Sequence, residues 1–69
     1  MRIRGRVVYM NLATGFWGIV DGAGNKWRPV VLPERLRREG LEVDLTAEPA
    51  AEDVSVFMWG TPIRILDET

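Results

Sequence analysis

The chain has 69 residues, 46% hydrophobic and 28% charged, enough for one folded domain and too apolar for a disordered segment. It has no cysteine and no histidine, which excludes disulfides, thiolate nucleophiles, zinc–thiolate sites and the commonest general base. The net charge of −1 conceals a division: residues 1–40 carry eight basic and three acidic side chains (+5), residues 41–69 one basic and seven acidic (−6).

In chain order, Ile3, Gly5, Val7 and Tyr9 alternate with Arg2, Arg4, Arg6 and Val8, the two-residue period of a first strand with one wetter face. Residues 11–15, with Asn11 and Gly15, read as a turn. Gly15 to Val20 is a second strand, loosened by Gly18. Asp21-Gly22-Ala23-Gly24-Asn25 is the strongest turn signal in the chain. Lys26 to Leu32 makes a third strand, and Pro29 places it at an edge or beside a bulge because proline cannot donate to the ladder.

Leu32 to Gly40 reads as one short helix, with Pro33 in its first turn and Gly40 past its last. Glu34 with Arg38 and Arg35 with Glu39 have i,i+4 spacing. Leu41, Val43 and Leu45 alternate with Glu42, Asp44 and Thr46 as a half-buried fourth strand. Residues 46–53 form an acidic loop, Val54 to Trp59 a fifth strand, and Gly60-Thr61-Pro62 a kink after which Ile63 to Leu66 resumes as strand.

The order β-β-β-α-β-β in an all-β chain with one short helix, residues 1–69 as a single domain, points to a five-stranded OB-type Greek-key barrel. An SH3-like barrel is the alternative, and an open α+β sheet the third reading. The barrel reading pairs the first strand antiparallel with the fourth, and it sets Val7, Ile19, Val30, Leu36, Leu41, Val43, Val56, Met58 and Ile63 in the core. No apolar run approaches the ~20 residues that span a bilayer and nothing resembles a signal peptide, so the expectation is a cytoplasmic protein that does not engage membranes.

Two patterns bear on function. Arg2, Arg4 and Arg6 form a basic stripe that reads either as a phosphate track or as one side of cross-strand pairs with Glu42 and Asp44. Pairing is favoured because it also accounts for the split of charge between the halves. Six aromatic residues, Tyr9, Phe16, Trp17, Trp27, Phe57 and Trp59, either fill a small core or present faces on which bases stack. Alternation sends Trp17 and Ile19 to one face and Phe16 to the other. Tyr9 belongs with Ile3 and Val7 by alternation and reaches the opposite face only if a bulge lies near Val8. Lys26 and Arg28 flank Trp27 as a cation–aromatic–cation triplet.

Gly5-Arg6-Val7, Tyr9, Asn11, Gly15-Phe16 and Ile19 resemble the cold-shock domains, OB-fold binders of single-stranded nucleic acid. In that family, aromatic residues on the second and third strands stack on bases. Phe16 and Tyr9 match two of them, whereas Gly18 stands where another aromatic is expected, and Pro29, Val31 and Leu32 replace a Phe-Val-His-Phe strand. Over nearly its whole length the chain is also similar to a set of short, uncharacterised bacterial and archaeal proteins read as OB-like barrels. The shared segments are Gly15-Phe16-Trp17-Gly18-Ile19, Leu32-Pro33-Glu34, Gly40-Leu41-x-Val43 and Met58-Trp59-Gly60-Thr61-Pro62-Ile63. That likeness implies the fold and no particular activity.

Catalysis finds little support. Ser55 is the only serine and has no histidine to activate it. Adjacent Glu52 and Asp53 read as solvation, and the 21–25 turn lacks both the bidentate acid of a calcium loop and the Lys-Ser/Thr of a phosphate loop. The expectation is a non-catalytic binding module, without metal or cofactor, whose ligand is most testably single-stranded nucleic acid held weakly by Tyr9, Phe16, Lys26, Trp27 and Arg28. The alternative is a protein-interaction module that can self-associate.

Overall fold

In the computed structural model, which describes residues 1–11, 15–50 and 59–68, the alternation at the amino terminus becomes strand β1 (Arg2–Met10). Ile3 and Val7 point inward and are buried, while Arg2, Arg4 and Arg6 are exposed. Strand β2 (Phe16–Asp21) runs antiparallel to it in an unbroken register from Gly5 opposite Asp21 to Met10 opposite Phe16. The turn that follows is held by Asp21: its carboxylate accepts the backbone N–H groups of Ala23 (3.0 Å) and Asn25 (2.8 Å), the side-chain hydrogen bonding that makes aspartate a turn former. It returns the chain into β3 (Lys26–Pro29), antiparallel to β2.

Strand β4 (Glu42–Pro49) pairs antiparallel with β1, Arg4 opposite Asp44 and Arg6 opposite Glu42, as the barrel reading requires. Strand β5 (Thr61–Glu68) pairs antiparallel with β4 and parallel with β3. The sheet therefore closes on itself in the order β1-β2-β3-β5-β4, and closure removes the open edges that would invite other chains. The chain is a small all-β barrel of five strands. Among the described residues no helix is long and apolar enough to cross a membrane.

Ile3, Val7, Ile19, Leu32, Leu45, Ala47 and Ile63 fill the interior, with Trp17, Trp27, Leu36, Leu41, Val43 and Ile65 half-buried around them. Full burial of each large aliphatic side chain is worth about 1.5–3 kcal/mol. Of the expected core, Val7, Ile19 and Ile63 are buried, Leu36, Leu41 and Val43 pack at its margin, and Val56 and Met58 lie outside the described residues. Val30 is a correction: it is exposed at 37%. Pro29 is buried, so alternation turns the next residue outward, and Leu32 fills the interior in its place.

Four boundaries also differ. The expected helix over Leu32–Gly40 shrinks to a single 3-10 turn, Glu34–Leu36. Neither i,i+4 ion pair forms; in the second, Arg35 binds Glu68 of β5 instead and Glu39 accepts the backbone N–H of Tyr9. Isolated short helices nucleate poorly, so these tertiary contacts win. Strand β3 ends at Pro29 and lies between β2 and β5, not at an edge. Its pairing with β2 covers only Lys26 and Trp27, so the N–H that Pro29 lacks is not needed there. Strand β4 runs on to Pro49, past the expected loop start at Thr46. The strand expected over Val54–Trp59 lies outside the described residues except Trp59, which precedes a strand; the resumption after the kink is the whole of β5.

Candidate functional site

The outer surface of the β2–β3 hairpin carries Phe16, Gly18 and Val20 from β2 and Lys26 and Arg28 from β3, the residues that alternate with inward-facing Trp17, Ile19 and Trp27. Gly18 leaves a gap in this row, and the ring of Trp59 lies in it. A Cβ built on Gly18 would fall 2.3 Å from a carbon of that ring, so only glycine permits the contact. Phe16 meets the same ring edge-to-face, centroids 5.5 Å apart at 63°, and the Lys26 ammonium lies 5.8 Å from its centroid. Beneath, Arg28 is buried, 7% exposed, and its Nε donates to the Trp59 carbonyl at 3.2 Å. Two aromatic rings and a cation thus share one wall of the barrel.

A groove of about 360 Å³ continues this wall past the end of β3, lined by Phe16, Trp17, Arg28, residues 29–32 and Arg37. The Nε of Arg37 donates to the Leu32 carbonyl at 2.9 Å, which holds the guanidinium at the rim. A larger groove of about 570 Å³ lies over Gly5 between Arg4, Arg6, Glu42 and Asp44. Its charges answer one another: Arg2 and Arg4 both reach Asp44, at 2.5 and 3.3 Å, and Arg6 stands 3.8 Å from Glu42. The stripe is a set of cross-strand pairs, as the charge division suggests.

The five residues expected to bind ligand separate into three groups. Phe16 and Lys26 face outward around Trp59. Arg28 shares their face but is covered, so it supports the wall instead of forming its surface. Tyr9 and Trp27 belong to the other side of the sheet. The β1–β2 register passes Val8 without a shift, so no bulge redirects Tyr9. It stands beside Trp17, ring centroids 5.0 Å apart, and stays 44% exposed near the end of β1. Trp27 packs on the core and donates its indole N–H to Asp21 at 3.0 Å.

That hydrogen bond, helped by the side-chain and backbone N–H groups of Asn25 and the N–H of Ala23, holds the Asp21 carboxyl below its usual pKa. The Asp44 carboxyl is lowered too, first by its hydrogen bond from Arg2 and then by the charges of Arg2 and Arg4. Trp59 is the site residue that the expected set omits. Its signal in the sequence is a glycine inside a strand, which marks a close approach without naming what approaches.

Among the described residues no three acidic side chains cluster closely enough to hold a metal ion. No protein-family model, curated protein or solved structure matches the chain.

Proposed function

We propose that the barrel is an OB-type, non-catalytic module that binds single-stranded nucleic acid weakly on the outer wall of β2–β3. The observation that carries this reading is the Trp59 ring over Gly18, beside Phe16 and under the Lys26 ammonium. It restores an aromatic surface at the position where the cold-shock likeness loses one. Aromatic faces stack on bases of any sequence, and an adjacent cation meets the backbone. The paired arginines on β1 add little attraction, which argues for affinity in the high-micromolar range or poorer, the weak end of non-specific binding (~10⁻⁴ M). Tryptophan fluorescence titrated with short unstructured oligonucleotides at several salt concentrations tests the reading. Quenching that weakens with salt and is lost in Trp59→Ala and Phe16→Ala supports it. Salt-independent quenching, or none at millimolar strand concentration, refutes it.

A second reading rests on a different surface. Val30, Val31 and Leu66, exposed at 37%, 68% and 55%, line one groove between the segment after β3 and strand β5. Apolar exposure of this kind suits a protein contact. Sedimentation of the wild type against Val31→Asp and Leu66→Asp decides whether that contact is with a second copy.

A further inference from the structure

We infer that Arg37 is a phosphate-contacting residue and that the strand bound on the outer wall runs on into the groove beyond β3. The inference rests on the nucleic-acid reading of that wall and extends it to a residue outside the aromatic row.

Three observations converge on Arg37. The groove shares Phe16 and Arg28 with the aromatic wall, so the two form one continuous surface. Its sides pair the Phe16 ring with Val30 and Val31, both solvent-exposed, an apolar slot suited to the flat face of a base. At its rim, the hydrogen bond from Nε to the Leu32 carbonyl fixes the Arg37 guanidinium while leaving the two terminal nitrogens to other acceptors. Among the described residues no carboxylate forms an ion pair with Arg37, in contrast to Arg2, Arg4, Arg6, Arg35 and Arg64. A guanidinium held in place and facing an apolar slot complements an anion that carries a planar apolar group, which is the chemistry of a nucleotide. The cations then stand at the two ends of the wall, Lys26 by the 21–25 turn and Arg37 beyond Leu32. Two aromatic rings lie between them.

Arg38 is the internal control. It is the next residue, also exposed, and does not line the groove. Anisotropy of a labelled oligothymidylate of about ten nucleotides, within the span one such barrel covers, is measured against salt for the wild type, Arg37→Gln, Arg37→Lys and Arg38→Gln. Arg37→Gln is expected to weaken binding several-fold and to make the slope of log affinity against log salt shallower by about 0.7, the share of one phosphate on a single strand. Arg37→Lys keeps the slope because it keeps the charge. Arg38→Gln matches the wild type. Arg37→Gln and Arg38→Gln with the same slope, on binding still abolished by Phe16→Ala, would overturn the role of Arg37 and leave the aromatic wall standing. If the wild type does not bind, both the wall and Arg37 fall. A purely structural role would show as equal losses of thermal stability in Arg37→Gln and Arg37→Lys with unchanged salt slopes, and would also overturn the inference.

Discussion

The six-membered ring of Trp59 lies against the backbone of Gly18, at a distance that leaves no room for a methyl group. A residue just before β5 thereby supplies the side chain that β2 lacks. The contact spans two elements that are not neighbours in the sheet, since β3 separates β2 from β5.

Gly18→Ala is therefore expected to expel the Trp59 ring while leaving the barrel folded. Forcing a methylene into a packed position costs about 1–3 kcal/mol, and here the ring can swing out to relieve it. Near-ultraviolet circular dichroism is expected to lose the Trp59 signal, and oligonucleotide affinity to fall as far as in Trp59→Ala. A near-ultraviolet spectrum identical to the wild type would contradict the contact.

Acid should weaken the fold through Asp21 and Asp44. Both carboxyls are held below their usual pKa in the folded chain, so the unfolded chain binds protons first as pH falls through its own value near 3.9. Their stabilisation is complete above that pH and is lost as pH drops through the lower folded values. The denaturation midpoint is expected to hold from neutrality to about pH 5 and then to decline. Trp27→Phe removes the indole donor to Asp21 and is expected to raise the Asp21 pKa, read by carboxyl NMR. An unchanged Asp21 titration would show that the hydrogen bond does not govern it.

The two acidic partners of the stripe differ in weight. Asp44 receives Arg2 through two hydrogen bonds and Arg4 as a second cation, with its side chain 26% exposed. Glu42 is 83% exposed and meets Arg6 at 3.8 Å. Exposed, monodentate pairs contribute little, so Asp44→Asn is expected to lower the urea midpoint more than Glu42→Gln. In a double-mutant cycle, Arg2→Gln and Asp44→Asn are expected to couple, and Arg6→Gln and Glu42→Gln to be additive. The reverse ranking would mean that the pairs are not formed in solution.

Core and rim are separated by a pair of aliphatic truncations. Leu45 is 1% exposed, and Leu45→Ala is expected to cost about 2–5 kcal/mol, most of the stability of a domain this small. Val30→Ala, at a position open to water, is expected to stay within about 0.5 kcal/mol of the wild type. Equal thermal midpoints for the two variants would place Val30 in the core after all.

The fold was legible where short-range patterning and long-range pairing agree. The alternation of Arg2 to Val8 and of Leu41 to Thr46 located β1 and β4, and the strand order of the barrel made them neighbours, which the opposite charges on their wet faces suit. Legibility failed where one local signal had to compete with a contact made far along the chain. The i,i+4 spacing of Arg35 and Glu39 is real, yet Arg35 is drawn to Glu68 and Glu39 to the backbone of Tyr9, which leaves only a turn. Pro29 pointed to an edge or a bulge, whereas β3 ends there between β2 and β5, and it did not tell which of its neighbours would face inward. At the candidate site, Phe16 and Lys26 could be placed by periodicity alone. The arrival of Trp59 over Gly18 could not, because no periodic pattern relates positions 41 residues apart.

The parallel seam between β3 and β5 has a kinetic consequence. Three residue pairs, Trp27 with Thr61, Arg28 with Pro62 and Pro29 with Ile63, close the cylinder, joined by the hydrogen bond from the Val30 N–H to the Ile63 carbonyl. Each pair bridges 34 positions, so the seam can form only after a long loop has closed, and the loop-closure entropy is lost before the contacts return anything. The β1–β2–β3 meander, by contrast, is joined by connections of five and four residues and assembles locally. Refolding is therefore expected to be governed by seam closure, with substitutions at Ile63 slowing folding as well as accelerating unfolding. The wall that carries Phe16 and Lys26 takes shape with the meander, but Trp59 is carried into place only when the cylinder shuts.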